Sequence, residues 1–520
     1  MREQPELEPI APSPGRQTRF FDAVERLGNR LPNLTGLFAA ALLLCLVLSA
    51  LLSPLSFPYR HPLTGEPLVV HDMLRPRALL DLLAAMPVNF VGFPPLGVTV
   101  VVTVAIGVAD RSGFVEALLR RMLSVVPARG VTVAVATVGV AAHLASDAAY
   151  VVLMPTAAAI FHRAGRHPVA GIACAFAGLA GGFSASFTPS IIDPVLQSFT
   201  QNAARIMDRH YEVNVLCNYG LSAAGTLAVI AVCTLVTERV VEPRLRRMLP
   251  VTEAPAPPSL AAPAAERRGF RLACASVLAL LVLLAVLSLP AHGLLRAPDG
   301  SLSSARAPLM RAIVAILALF FFVPGLVHGL ATGRFRTAGD VVSAAESAVA
   351  VLVPFLVFAF VAGQFLWVFA QSQLGTLLAL SGADALRRMG MPAGISVLGL
   401  IGFSCALDAL ITSASSKWSL LAPVFVPMLM AVHISPELTQ AAFRVSSTVN
   451  VATPLFAFYP LIMLYCRQYS PQTGTGTLCA SMLPYTIGLT LALAGMLYGF
   501  WWLGIPMGPG ASYRYGAGAG

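Results

Sequence analysis

Three carboxylates and one arginine stand inside stretches that are otherwise apolar: Asp193 in "TPSIIDP", Asp147 in "HLASDAAYVV", Asp408 in "FSCALDALIT" and Arg444 in "AAFRVSSTVN". A charge at membrane depth is costly and, where it is kept, marks an ion or substrate path. Asp193 reads as a proton carrier, with a structural cap or an interfacial charge as the alternative. Asp147 can bind an ion or cap the helix that follows it, and Asp408 is either an ion ligand or a satisfied core carboxyl. Arg444 offers a fixed, two-pronged cation suited to a carboxylate or sulfonyl group. The alternative is a structural pair with an aspartate.

Beside these charges lies "ITSASSKWSLLAP" (411–423), which places hydroxyls, Lys417 and Trp418 between two apolar runs. Small hydroxyl residues satisfy backbone groups freed at a buried helix break and let a ligand approach closely. Trp418 can stack on an aromatic ligand or serve in packing, and Lys417 can snorkel or hold the tip. Hard cations want several oxygen ligands, so sodium is expected at Asp408, Thr412 and Ser413 if it binds at all. The histidines are too isolated for a metal site. No Walker A, HExxH or GxSxG pattern appears, which argues against an ATPase or an enzyme.

The positioning elements follow from composition. Of 520 residues 57% are hydrophobic and only 11% charged, far below the quarter usual for soluble domains. The chain reads as an all-α polytopic membrane protein. Its net charge of +10 belongs to basic clusters flanking apolar spans, so nucleic acid is not expected as a partner. Eight cysteines scattered without CxxC spacing read as packing residues.

Apolar spans are expected at 35–52, 93–109, 168–187, 215–237, 271–291, 309–330, 350–372, 455–466 and 478–503. Regions 130–163 and 393–433 each contain two apolar halves too short to cross alone and read as re-entrant hairpins. "HLASDAAYVVLMP" aligns with "ITSASSKWSLLAP", and Pro155 with Pro423 and Pro168 with Pro436 fall in register, which gives an internal repeat. The expected organisation is a first membrane repeat at 1–242, a Pro- and Ala-rich cytoplasmic linker at 243–270, and a second repeat at 271–520. Basic residues orient the chain so that one hairpin enters from each face, an inverted repeat with about nine transmembrane helices. Broken helices from inverted repeats meeting at the midplane are transporter architecture.

The chain resembles the aminobenzoyl-glutamate transporter (AbgT) family. The resemblance rests on "FFDAVERLGNRLPN", "GFPPLGVTVVVTVAIGVADRSG", "SDAAYVVLMP", "GRHPVAGIACAFAGLAGGFSAS" with "IDP", and "SASSKWSLLAPVFVPMLM" with "AAFR" leading to "N" and "TPL". It implies a homodimer in the bacterial inner membrane. The implied activity is transport of p-aminobenzoyl-glutamate, or export of p-aminobenzoate-like and sulfonamide compounds driven by protons. A sodium- or proton-coupled importer of aminobenzoyl-glutamate or another dicarboxylate is the second reading. The family's substrate positions fall on Ser415, Trp418, Pro436 and Arg444, and Asp193, Asp408, Asp147 and Asn450 are the candidates for ion or proton coupling. No cofactor is expected beyond H+ and a candidate Na+. Asp408 stands where the family has asparagine, while the acidic residue that follows the family's arginine is missing from "RVSSTVN".

Overall fold

A computed structural model describes residues 34–124, 130–145, 148–251 and 263–516. Among these, no strand forms, and the helices fall into two runs, one before residue 251 and one after residue 263. The first run holds α1 (Leu34–Leu52), α2 (Pro76–Val91), α3 (Leu96–Arg111), α4 (Phe114–Ser124), α5 (Val131–Ala142), α6 (Ala148–Arg163), α7 (Pro168–Ser184), α8 (Ile192–Ala204), α9 (Tyr219–Val236) and α10 (Glu242–Met248). The second holds α11 (Ala264–Ser288), α12 (Ile313–Thr332), α13 (Ala338–Ala350), α14 (Val353–Gln371), α15 (Leu374–Arg388), α16 (Ala393–Asp408), α17 (Ala414–Met430), α18 (Pro436–Ser446), α19 (Tyr459–Tyr469) and α20 (Thr475–Leu503). Seven of the described helical stretches are long and apolar enough to cross a membrane. Leu278, Leu281, Val282, Leu283 and Val286 of α11 all stand exposed, as lipid-facing residues must.

Two expected spans, 168–187 and 455–466, form only the short helices α7 and α19, with a break in the chain beside each, between α7 and α8 and between α18 and α19. Proline causes both interruptions. Pro189 precedes α8 and biases its neighbour away from helix, and Pro454 does the same before α19. Pro168 and Pro436, the sequence-matched pair, each occupy the first turn of a helix, where the missing N–H costs nothing. The span expected at 93–109 is longer, because α2 precedes α3 and the two form one bent stretch from Pro76 to Arg111. The linker needs correction at both ends: residues 242–248 are helical, and α11 begins at Ala264 rather than 271. The good helix formers of "AAERRGFR" continue straight into the apolar span.

The hairpins enter from opposite ends of the molecule. At the base of the first, Thr132 donates to Glu238 at 2.6 Å, and Arg166 in the turn after α6 donates to Glu242. That end also carries Ser470, whose hydroxyl donates to the Pro250 carbonyl at 3.1 Å. At the base of the second hairpin, Ile434 pairs with Arg514 of the C-terminal segment, and Tyr498, near the end of α20, donates to the Gly394 carbonyl at 2.6 Å. Segments 205–218 and 289–307 join this opposite end through Asn214, which donates to the Ser303 carbonyl at 2.6 Å.

Glycine lets the first hairpin pack tightly. A Cβ on Gly178 of α7 would meet the Ala136 carbonyl oxygen of α5 at 2.9 Å, and one on Gly139 of α5 would meet Gly178 Cα at 3.2 Å. Helices in lipid associate through such close backbone approach rather than through hydrophobic burial. As a result α7, between both arms of the hairpin, is buried almost throughout.

Candidate functional site between the hairpin tips

The break between α7 and α8 brings the charged residues together. Asp193 sits in the first turn of α8, where a carboxylate suits the helix dipole. One of its oxygens accepts from the Ser190 N–H at 2.8 Å, and the other accepts from Arg444 Nη1. Arg444 hangs from α18, whose backbone is tied to the end of α7 by Ser184, the hydroxyl of which donates to the Arg444 carbonyl at 2.8 Å. Both side chains of this ion pair are at least nine-tenths buried. Arg444 Nε has no hydrogen-bond partner among the described residues, so the guanidinium keeps one prong unused.

Beside this pair lies a cavity of about 240 Å³. The tip of the first hairpin contributes His143 and Leu144, the broken segment Phe183 and Ser190, and the tip of the second hairpin Ser415. α3 closes the wall with Thr99 and Thr103. The two hairpin tips therefore meet at one small chamber with a few polar groups in an apolar lining, the usual form of a small-molecule site.

Trp418 is placed differently from a wall residue. It has no exposed surface, its ring stacks on Phe443 of α18 with centroids 4.4 Å apart, and its indole N–H donates to Thr200 of α8 at 2.9 Å. Thr200 in turn donates to Gln440 at 2.6 Å, and Gln440 donates to Asn218 at 2.9 Å. Pro436 opens α18, and Ser435 before it caps the helix by accepting from the Leu438 N–H at 3.1 Å. Glu437, buried in the same turn, accepts from the Tyr211 hydroxyl at 2.9 and 3.1 Å. These contacts make Trp418, Thr200, Gln440 and Asn218 a continuous polar thread joining α17, α8, α18 and the segment before α9.

Asp408, at the end of α16, receives Lys417 of α17, and both side chains are fully buried. Lys417 does not snorkel; its ammonium also lies 5.1 Å from the centre of the Phe443 ring. Ser413 caps α17, its hydroxyl 2.8 Å from that of Ser416. The Thr412 carbonyl accepts from Asn450 at 3.5 Å. The tip's oxygens are thus largely engaged within the protein. Asp147 lies outside the described residues.

The residues that sequence alone did not single out are His143, Phe443, Thr200, Gln440 and Glu437. Thr200 meets Trp418 across 218 positions, Gln440 meets Thr200 across 240 and Glu437 meets Tyr211 across 226, and no local spacing announces such contacts. The segment "PELTQAAFR", with two polar residues and an acid in a helix that must be buried, was the one available signal.

Comparison with known proteins gives the family. The model of the AbgT putative transporter family matches residues 19–515. The chain is 31% identical over 508 residues to the p-aminobenzoyl-glutamate transport protein of Escherichia coli, covering 96% of this chain and 98% of that protein. The YdaH transporter of Alcanivorax borkumensis superposes with a TM-score of 0.86 at 39% identity, covering 92% of this chain and all of that one. MtrF of Neisseria gonorrhoeae, described as illuminating a class of antimetabolite efflux pumps, gives 0.85 at 35% identity, covering 95% of this chain and all of that one. This chain belongs to the AbgT family and is a multi-pass membrane transporter, not an enzyme.

Proposed function

We propose that the protein is a proton-coupled exporter of p-aminobenzoate-like and sulfonamide compounds, working as a homodimer in the bacterial inner membrane with its basic end in the cytoplasm. The observation that carries this reading is the buried Arg444–Asp193 pair beside a chamber walled by the tips of both hairpins. Ionised Asp193 accepts N–H donors of the ligand, while the unused prong of Arg444 is available to a sulfonyl or carboxylate oxygen. A proton on Asp193 cancels its charge and turns one of its oxygens into a donor, so proton and ligand N–H compete for one carboxylate. Competition for a shared site is what exchange across a membrane requires.

The relatives support the chemical class. One is named for p-aminobenzoyl-glutamate and another is described with antimetabolite efflux pumps. Protons are favoured over sodium here because Lys417 already neutralises Asp408, and a second cation at that carboxylate would sit against a buried ammonium. The test is proton count on binding. Adding p-aminobenzoate or a sulfonamide to the purified protein in weakly buffered solution should release protons, and proteoliposomes with an imposed proton gradient should exchange ligand against it. Proton uptake on binding would turn the reading to import.

A further inference from the structure

We propose that His143 is a ligand-binding residue that recognises the aromatic amine. This rests on the transport reading above and names the group that a so far unassigned residue would hold.

His143 closes the first hairpin tip and is only 4% exposed. Its Nδ1 lies 2.7 Å from the Val140 carbonyl oxygen. A carbonyl can only accept, so in the neutral ring Nδ1 carries the hydrogen and Nε2 presents a lone pair. Nε2 has no partner among the described residues. The ring lines the same chamber as Ser415, Ser190 and Phe183.

The orientation is held from two further directions. Phe183 stands against the imidazole with ring centroids 6.0 Å apart in an edge arrangement. Gly182 leaves the room, since a Cβ there would lie 2.6 Å from the Val140 oxygen and 2.9 Å from His143 Cβ. His143 thus brings a fixed acceptor to the chamber wall, and Ser190, another wall residue, gives its N–H to Asp193, the partner of Arg444. The group that meets such an acceptor is an N–H donor, and the amine of an arylamine supplies one to Nε2. A buried acceptor built to meet a donor discriminates against the analogue that lacks it, because the acceptor is then left desolvated and unpaired.

The experiment compares p-aminobenzoate with benzoate, which differs by the amine alone, in calorimetric titrations of the purified full-length protein. Wild type should prefer p-aminobenzoate by roughly fivefold, the worth of one neutral hydrogen bond. His143→Phe, which keeps a ring and loses the nitrogen, should bring the ratio close to one by weakening p-aminobenzoate only. His143→Gln, which returns an oxygen near the position of Nε2, should restore part of the preference. Elution as a single species and an unchanged melting temperature verify that each variant is folded. Retained preference in the phenylalanine variant, or no preference in wild type, overturns the assignment while leaving transport standing. Failure of wild type to bind either compound overturns both.

Discussion

Trp418 and Phe443 lie face to face at 4.4 Å with their planes 28° apart, so the indole ring is already stacked on a residue of the protein itself. The tryptophan that sequence reading offered to a ligand is, in this conformation, a joint between the second hairpin and α18. Trp418→Phe should keep most of the stack, worth about 1 kcal/mol, and lose only the bond to Thr200. Trp418→Ala should empty a core position at a cost of about 3–5 kcal/mol and abolish transport of every substrate alike. Melting curves beside flux in proteoliposomes separate the two; an alanine variant that is stable and selective only against aryl ligands would return Trp418 to the wall of the site.

Asp193→Asn should stop gradient-driven exchange without unfolding the protein. Asparagine keeps an oxygen for Arg444 Nη1, so the buried guanidinium stays hydrogen-bonded while the titratable charge is gone. Counterflow of ligand without a proton gradient should survive. Wild-type dependence on the gradient in this variant would remove Asp193 from coupling.

Lys417 and Asp408 make a closed pair, and each single replacement leaves a charge in an apolar interior. Asp408→Asn and Lys417→Met should each cost about 3–5 kcal/mol, and the double variant much less than their sum. Sodium should not raise the melting temperature of wild type. A sodium-dependent rise that disappears in Asp408→Asn would instead make Asp408 an ion ligand.

His167, in the turn between α6 and α7, is buried against the Leu249 carbonyl at 3.2 Å, and burial lowers its pKa below the usual 6.5. The folded state therefore resists protonation more than the unfolded one. Stability is fully present above pH 6.5 and falls as the pH drops through that value toward the folded-state pKa. Melting temperature should decline over this window in wild type and decline less in His167→Gln; identical slopes would show that other groups carry the acid sensitivity.

Sequence pointed to the hairpins and singled out Asp193 and Arg444, because charge and proline in apolar runs are conspicuous. It could not show that these two charges face each other across 251 positions of chain. It passed over α2, where Asp81 and Pro87 interrupt the apolar pattern. It discounted His143 because an isolated histidine has no local signature; what distinguishes it is the carbonyl that fixes one nitrogen, the lack of a partner for the other among the described residues, and its place in the chamber wall.

The two hairpins are fastened at their bases by different kinds of bond. Arg166, Glu242 and Arg246 hold the first through ion pairs, with Arg246 to Glu242 at 2.8 Å. The second is stitched to the C-terminal segment by neutral contacts, among them Tyr515 N–H to the His433 carbonyl at 3.0 Å and the Ser435 hydroxyl to the Ser512 carbonyl at 2.5 Å. Dissolved salt screens the former, to the extent that Arg246 is open to solvent, and leaves the latter untouched. Ionic strength at one membrane face thus acts as a dial on only one of the two hairpins.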